Sequence, residues 1–260
     1  MINQTALITG ASSGIGLELA KLFAKDGYDL VLVARSEGKL NQLKGELEAQ
    51  YGIRGTVIAM DLGKPEEAYR LKEELKEKHI EIDVLVNNAG FGLYGAFDET
   101  DLEDELSMID INIKALTALT KLFLPGMKAR GRGRIMNVAS SAAFQPGPLM
   151  AVYYATKSYV LSLTEALENE LKGSGVTVTA LCPGPTETGF KSRANLGESK
   201  LFKSGVMDVQ TVARIGYDGL MRGKTIVIPG FKNKLLANSI RFIPRKWVTA
   251  TVRNVQERAR

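Results

Sequence analysis

Short apolar runs alternate with stretches of helical periodicity along most of the chain. The runs TALITG (5–10), YDLVLVAR (28–35), GTVIAMDL (55–62), DVLVNNAG (83–90), GRIMNVAS (133–140) and GVTVTALCPG (175–184) read as strands, and TIVIPG (225–230) as a short seventh. Between them, apolar residues recur at the three-to-four spacing of one helical face. A first helix runs through ELAKLFAKDG and stops at Gly27; others are expected over about 36–51, 65–78, 102–128 and 150–171. Pro65 suits a first helical turn, where its missing N–H costs nothing. Strands alternating with helices predict an α/β fold: a doubly wound, Rossmann-type parallel sheet of about seven strands, with helices on both faces. No repeat, low-complexity segment or proline-rich linker breaks the pattern, so residues 1–260 are expected to form one catalytic domain. The least regular stretch, about 186–209, is rich in Gly and Ser and lies beyond a strand's carboxyl end. Ligands of such sheets bind there, and a loop of that length suits an active-site lid.

Composition narrows the chemistry. The single cysteine, Cys182, rules out an intrachain disulfide. The single histidine, His79, lies in the charged run KEKHIEID without partners for a Ser-His-Asp triad. One histidine and one cysteine cannot assemble a zinc site of those ligands, and no metal is expected. The first residues, MINQTALITG, show neither a basic n-region nor a long apolar core, and no apolar run approaches the roughly 18 residues of a membrane span. The expected location is cytoplasmic, or at most peripheral to a membrane. The net charge of +5 is concentrated at one end: from Arg222 onward ten Lys/Arg face a single acid, Glu257, so the remainder of the chain is acidic.

Two regions carry candidate chemistry. At 9–16, TGASSGIG follows strand one and opens the first helix. Gly10 permits a tight turn there. Gly14 and Gly16 let backbone approach a pyrophosphate, and the helix N-terminus favours the anion. Strand two ends in Arg35, where an acid would suit the ribose 2′-OH of NAD; an arginine there can bind the 2′-phosphate of NADP(H), or simply cap a surface turn. Asp61, beside Leu62 after strand three, can accept from an adenine amino group or serve a turn. Farther on, Tyr153 and Lys157 are four apart on a helix and share a face. An ammonium about 4 Å from a phenol contributes roughly 4 kcal/mol at an effective dielectric near 20, enough to lower the tyrosine pKa by about three units. Ser140 ends strand five, where its hydroxyl can hold a substrate oxygen. Asn87 and Asn88 suit a tie between strand and loop, and Gly90 lets backbone lie near a cofactor. Asn112, inside a helix, is either functional or an ordinary exposed or capping amide.

Together these residues resemble the short-chain dehydrogenase/reductase family over nearly the whole chain. TGASSGIG resembles its cofactor motif, including Ser12, Ser13 and Ile15; NNAG at 87–90, with Ala89, resembles its sheet-stabilising motif. Asn112, Ser140, Tyr153 and Lys157 match its catalytic tetrad in order and approximate spacing. Pro183, Gly184, Thr186 and Thr188 fall in a segment similar to its Pro-Gly-x-x-x-Thr stretch, which implies contact with the nicotinamide end. The resemblance implies a sheet of order 3-2-1-4-5-6-7 and hydride transfer between NADP(H) and a carbonyl or secondary alcohol. It assigns Ser140 to the substrate oxygen, Tyr153 to the proton, and Lys157 to the tyrosine pKa and the ribose. It gives Asn112 a water leading to solvent. It also implies a homo-oligomer, a dimer or a tetramer. The glycine usual after Ser-x-Ala is Ala143 here, followed by Phe144, a change expected to reshape the substrate wall.

Phe91, Phe144, Leu149, Met150 and Phe190 flank the expected site and suit either an apolar pocket or core and lid packing. A hydrophobic ketone or aldehyde is the expected substrate, in the reducing direction. The basic segment 232–260 reads as an amphipathic helix pair broken near Pro244. It suits packing on the body or a second subunit, or contact with an anionic membrane surface. An acidic body without a recognition motif argues against nucleic acid. A cofactor-binding sensor or scaffold without turnover, and a peripheral membrane protein acting through the basic tail, are the rival readings.

Overall fold

In the computed structural model, which describes residues 4–194, 196 and 205–257, the apolar runs form seven strands. They are β1 (Thr5–Thr9), β2 (Asp29–Ala34), β3 (Gly55–Ala59), β4 (Val84–Asn87), β5 (Gly133–Val138), β6 (Val176–Leu181) and β7 (Ile226–Val227). All pair in parallel, in the order β3-β2-β1-β4-β5-β6-β7. The helices are α1 (Gly14–Lys25), α2 (Glu37–Tyr51), α3 (Glu67–Glu77), α4 (Leu102–Ile109), α5 (Leu116–Ala129), α6 (Ala151–Glu170), α7 (Phe190–Arg193), α8 (Val209–Met221), α9 (Phe231–Ser239) and α10 (Arg245–Gln256).

Period-two alternation sends each strand's side chains to both faces of the sheet. Ala6, Ile8, Leu30, Leu32, Val84 and Val86 join one core with Leu19, Phe23 and Leu40 of α1 and α2. Their neighbours Leu7, Val31, Val33 and Leu85 join the opposite core with Leu71, Leu119 and Phe123 of α3 and α5. Strands buried on both faces must be apolar throughout, hence the continuous runs in the sequence.

Three departures from the periodicity reading have local causes. No helix is expected between strands six and seven, yet α8 spans Val209–Met221, capped by Asp208, whose side chain accepts from the Thr211 N–H. Its two small buried positions, Gly216 and Gly219, pack against Leu181 and Val227 and dilute the apolar signal. The single helix expected over 102–128 is interrupted by a π-helical segment at Asp110–Ala115 that contains Asn112. Such bulges often sit at functional sites. Thr186, the first residue of the expected lid 186–209, bridges Met207 near its far end, with α7 between them, and Val209 already begins α8. Residues 195 and 197–204 of that expectation, and 258–260 of the expected tail, lie outside the described residues. Within the tail, the break near Pro244 separates α9 from α10 as expected.

A buried polar chain stiffens the middle of the sheet. Asn87 Nδ2 donates to Thr120 Oγ1 (3.0 Å) and to Asn137 Oδ1 (2.9 Å), and Asn137 Nδ2 donates to Thr164 Oγ1 (3.0 Å). It ties β4 and β5 to α5 and α6. Asn137→Ala is expected to lower stability by about 1–3 kcal/mol through its lost bonds. Urea unfolding checks this; an unchanged midpoint would mean the chain carries no net stability.

Candidate active site

The carboxyl ends of β1, β4, β5 and β6 open on one edge of the sheet, on either side of the point where strand order reverses, where such sheets bind ligands. A cavity of about 450 Å³ lies there.

One end of the cavity is a glycine cradle. Gly10 turns with φ +65, and a Cβ on it would come within 2.8 Å of Asn88 Nδ2. Asn88 Nδ2 donates to Thr9 O (2.8 Å) and Gly10 O (3.3 Å), while Thr9 Oγ1 accepts from the N–H groups of Asn88 and Ala89 (both 2.9 Å). The turn is thereby bolted to the end of β4, and Asn88 has the structural role its type suggested. Ser13 precedes α1 without a side-chain cap, so the first turn keeps its N–H groups toward the cavity mouth. A cradle too tight for a side chain, opening on a helix N-terminus, fits the pyrophosphate of a nicotinamide dinucleotide.

At the far side of the cradle, Arg35 lines the cavity with its guanidinium 4.0 Å from the Asp61 carboxylate. A second cation stands nearby. Arg193, on α7, lies over the Phe91 ring (4.5 Å), and its pKa is lowered by burial and by the field of Arg35, with Asp61 opposing. Two guanidiniums that repel one another are relieved by an anion between them. Lys39 lines the same end.

The other end holds the hydroxyls. Ser140 neighbours the Tyr153 phenol on the cavity wall, and its Oγ accepts from the Ala142 N–H (3.1 Å), which fixes the side chain at the start of a 3₁₀ turn. Lys157 is buried, and its Nζ donates to Val138 O (2.8 Å). Burial lowers the Lys157 pKa to about 8. Burial likewise raises the Tyr153 pKa well above that of an ordinary phenol, only partly opposed by the Ser140 hydroxyl. A lowering of the tyrosine pKa by Lys157 is not seen in this arrangement, where burial is the largest influence on the phenol. The ammonium sits 5.8 Å from the centre of the Tyr153 ring and spends a proton on Val138, so desolvation outweighs attraction. Cys182 is buried, its pKa pushed up to about 12, which leaves it a neutral thiol.

Of the residues expected from sequence, Gly10, Ser12, Ser13, Gly14, Ile15 and Arg35 line this cavity. So do Asp61, Leu62, Asn88, Ala89 and Gly90, then Ser140, Tyr153 and Lys157, and Pro183, Gly184, Thr186 and Thr188. Two do not. Gly16 sits behind the cradle, where a Cβ would strike Asn88 Nδ2 and Gly10 O at 2.5 Å. Asn112 is buried beneath the loop after β4: its Oδ1 accepts from Phe91 N (3.1 Å), and its Nδ2 donates to Phe91 O (2.9 Å) and Thr156 Oγ1 (3.1 Å). Both the exposed amide and the helix cap are overturned for Asn112, because the π-helical segment turns it inward. The expected substrate wall is corrected too. Phe91, Met150 and Phe190 face the cavity, but Leu149 and Phe144 do not, and Phe144 packs with Ala143 on the core beside Leu116 and Val160. Ala142 and Gln145 form the wall instead.

Gly92 was not legible beforehand. A Cβ there would lie 2.7 Å from Phe190 Cζ and 3.1 Å from both Met150 Cε and Tyr153 Cδ2, so any larger residue in the loop after β4 would press on Phe190, Met150 and the tyrosine. Gly92→Val is expected to cut turnover by roughly tenfold or more by displacing Tyr153, since angstrom-scale misplacement of a reacting group is costly. Stopped-flow kinetics against wild type checks this; full activity would show that the tyrosine tolerates the shift. Behind Tyr153, the next residue, Tyr154, accepts a short hydrogen bond from Gln256 Nε2 of α10, with Gln145 beside it.

Known proteins share this arrangement of chain. The family model described as short chain dehydrogenase matches residues 4–199. The ketoacyl reductase HetN of Nostoc sp. is 33% identical over 229 residues, 88% of this chain and 79% of its own. The very-long-chain 3-oxoacyl-CoA reductase of Anas platyrhynchos is 40% identical over 68% of this chain, and the chain spans 58% of that protein's length. A short-chain dehydrogenase from Sphingobium yanoikuyae, solved with NADPH, superposes with a TM-score of 0.83 at 34% identity, covering 92% of this chain and 94% of its own. The bulky-bulky ketone specific alcohol dehydrogenase of Comamonas testosteroni gives 0.78 at 31% identity, with 92% of each chain covered.

Proposed function

The chain belongs to the short-chain dehydrogenase family, an oxidoreductase family whose members bind nicotinamide cofactors, and from that premise we propose that it uses NADPH to reduce an apolar ketone. The observation that carries the reading is one cavity joining Ser140, Tyr153 and Lys157 to a glycine cradle edged by Arg35. NADPH supplies the hydride. Ser140 orients the substrate oxygen, and Tyr153 donates the proton that oxygen takes up. Lys157 would hold the ribose hydroxyls. Asn112 acts as a positioning residue: it fixes the Phe91 backbone beside Gly90, against which the nicotinamide end would lie, and a Cβ on Gly90 would sit 2.6 Å from Asn112 Oδ1 and 3.6 Å from Lys157 Nζ. Pro183, Gly184, Thr186 and Thr188 would meet the carboxamide end. Arg35, with Arg193 nearby, would receive the 2′-phosphate.

A protonated phenol suits the reducing direction. Its raised pKa keeps Tyr153 protonated at neutral pH, the form that reduction consumes and oxidation cannot use. Reduction is expected to hold level through neutral pH and oxidation of the matching alcohol to climb as pH rises toward about 10. Initial rates in both directions test this; oxidation that is fastest in acid would contradict it. An apolar substrate suits Phe91, Met150, Phe190 and Leu196 on the cavity wall. Relatives named for 3-oxoacyl and ketoacyl reduction make 3-oxoacyl thioesters the first members of the substrate panel. A sensor without turnover is not favoured, because the proton-handling groups are assembled together.

The test is NADPH oxidation across ketones and 3-oxoacyl thioesters, with NADH in parallel. Arg35→Ala is expected to weaken NADPH binding roughly ten- to a hundredfold, the worth of one or two charge-assisted hydrogen bonds, and to leave NADH nearly unchanged. A preference for NADH in the wild type would remove Arg35 from the role given to it. Absence of turnover on every ketone, with tight NADPH binding retained, would reject the substrate class.

A further inference from the structure

The two C-terminal helices leave large apolar side chains bare. α9 buries Ala237 alone, and α10 buries Val248, Val252 and Gln256. Those three anchor α10: Val248 and Val252 pack in the cluster that holds Met150, Tyr153 and Tyr154, and Gln256 bonds Tyr154. Outside, Phe231 is 81% exposed, Leu235 60%, Leu236 62%, Phe242 88% and Trp247 70%. A scattered exposed leucine needs no explanation, but five such residues between 231 and 247 mark an interaction surface.

Charge says what the surface meets. Lys232, Lys234, Arg241, Arg245 and Lys246 are interleaved with these residues, and no acid occurs from 231 to 256. None of the five cations forms an ion pair among the described residues, whereas Arg253 pairs with Glu257 (3.3 Å). A second copy docked face to face would set cations against cations. A partner helix would need a groove, and these residues line neither the active-site cavity nor a second one, between α1 and α8, bordered by Glu18, Tyr51 and Arg214. A bilayer asks for no groove: protruding Phe, Leu and Trp enter the boundary of headgroups and acyl chains while cations meet anionic lipids. No helix among the described residues is long and apolar enough to cross a membrane, so contact of this kind is peripheral.

We propose that α9, α10 and the turn between them form a docking face for an anionic membrane surface. The face lies on the outer side of the helix whose inner side packs against the Tyr153–Tyr154 region, and it does not depend on the identity of the substrate.

Trp247 is the only tryptophan in the chain and reports directly on the face. The full-length protein would be sedimented with sucrose-loaded vesicles of phosphatidylcholine alone or mixed with phosphatidylglycerol, with Trp247 emission followed in parallel. Expected are binding at least tenfold stronger to the anionic vesicles, a blue shift of emission, and loss of both at high salt. The double variant Phe231→Ser/Phe242→Ser should lose at least tenfold in binding. Arg241→Gln/Arg245→Gln should lose roughly fivefold for each charge removed. Both should keep NADPH turnover on a soluble ketone, since neither touches the cavity. Equal binding to neutral vesicles, unimpaired binding of either variant, or no sedimentation with unshifted emission would each overturn the proposal. A blue shift that grows with protein concentration alone would assign the face to a second copy. One produced by polyglutamate or duplex DNA but not by vesicles would assign it to another partner.

Discussion

Tyr153→Phe is expected to lower turnover by about a thousandfold while leaving NADPH affinity within roughly twofold, because a positioned proton donor is worth about 10²–10⁴ in rate and the ring itself is kept. The ring packs against Phe190, with centroids 5.3 Å apart, and lies in a cluster with Met150 and Ala142. Phenylalanine preserves that contact and removes only the hydroxyl. A buried phenol whose pKa is raised by desolvation contributes little charge to cofactor binding, so the loss should fall on kcat. The measurement is single-turnover kinetics at saturating NADPH, with cofactor affinity from fluorescence titration. A variant that retains a tenth of wild-type turnover would mean that another group, with Ser140 first in line, supplies the proton.

Lys157→Met is expected to cost about a thousandfold in turnover and yet to make the protein more stable at neutral pH. The ammonium is buried, and its pKa falls from 10.5 to about 8 because desolvation disfavours the charge. Folding with Lys157 charged therefore costs on the order of 3 kcal/mol. The sign follows from proton counting. Between about pH 8 and 10.5 the unfolded chain binds more protons at this group, so wild-type stability rises with pH across that window; below it the full cost applies. Methionine keeps the length and removes the charge, and the bond to Val138 O that it forfeits returns about 1 kcal/mol of the gain. The net advantage should be near 2 kcal/mol at pH 7, several degrees in Tm for a domain of this size, and should shrink toward pH 10.5. Calorimetry across pH, beside steady-state kinetics, tests both halves. A variant less stable than wild type at pH 7 would show that the buried ammonium is well compensated. Unchanged turnover would remove Lys157 from the mechanism.

How far the site could be read beforehand differs by residue for physical reasons. The cradle from Gly10 to Gly14 is local: strand, turn and helix start are contiguous, so sequence order and spatial order coincide. Tyr153 and Lys157 were equally legible, since helical spacing puts them on one face. Asn112 was recognisable only as an amide of undecided use, because its inward turn depends on a π-helical segment that side-chain periodicity does not announce. Gly92, Gln145 and Arg193 gave no signal at all. Each matters through a neighbour contributed by a different loop: Gly92 through Phe190, Gln145 through Tyr154, and Arg193 through Arg35. Phe144 misled in the opposite way, being adjacent to the wall in sequence but turned into the core by the 3₁₀ turn at Ser141–Phe144.

By itself, the sequence determined that this chain builds a parallel sheet covered on both faces, with a glycine cradle after the first strand and a tyrosine and lysine sharing a helical face. Hydrophobic period and glycine spacing are properties of neighbouring residues, and they survive without the rest of the molecule. Only the tertiary structure decided which side chains wall the cavity, how Asn112 is used, and that burial raises the Tyr153 pKa where helical spacing alone suggested a lowering by Lys157. Those outcomes depend on how strand ends converge and how much water they exclude. Desolvation belongs to the packed surroundings of a group, and no stretch of sequence around Tyr153 encodes it alone.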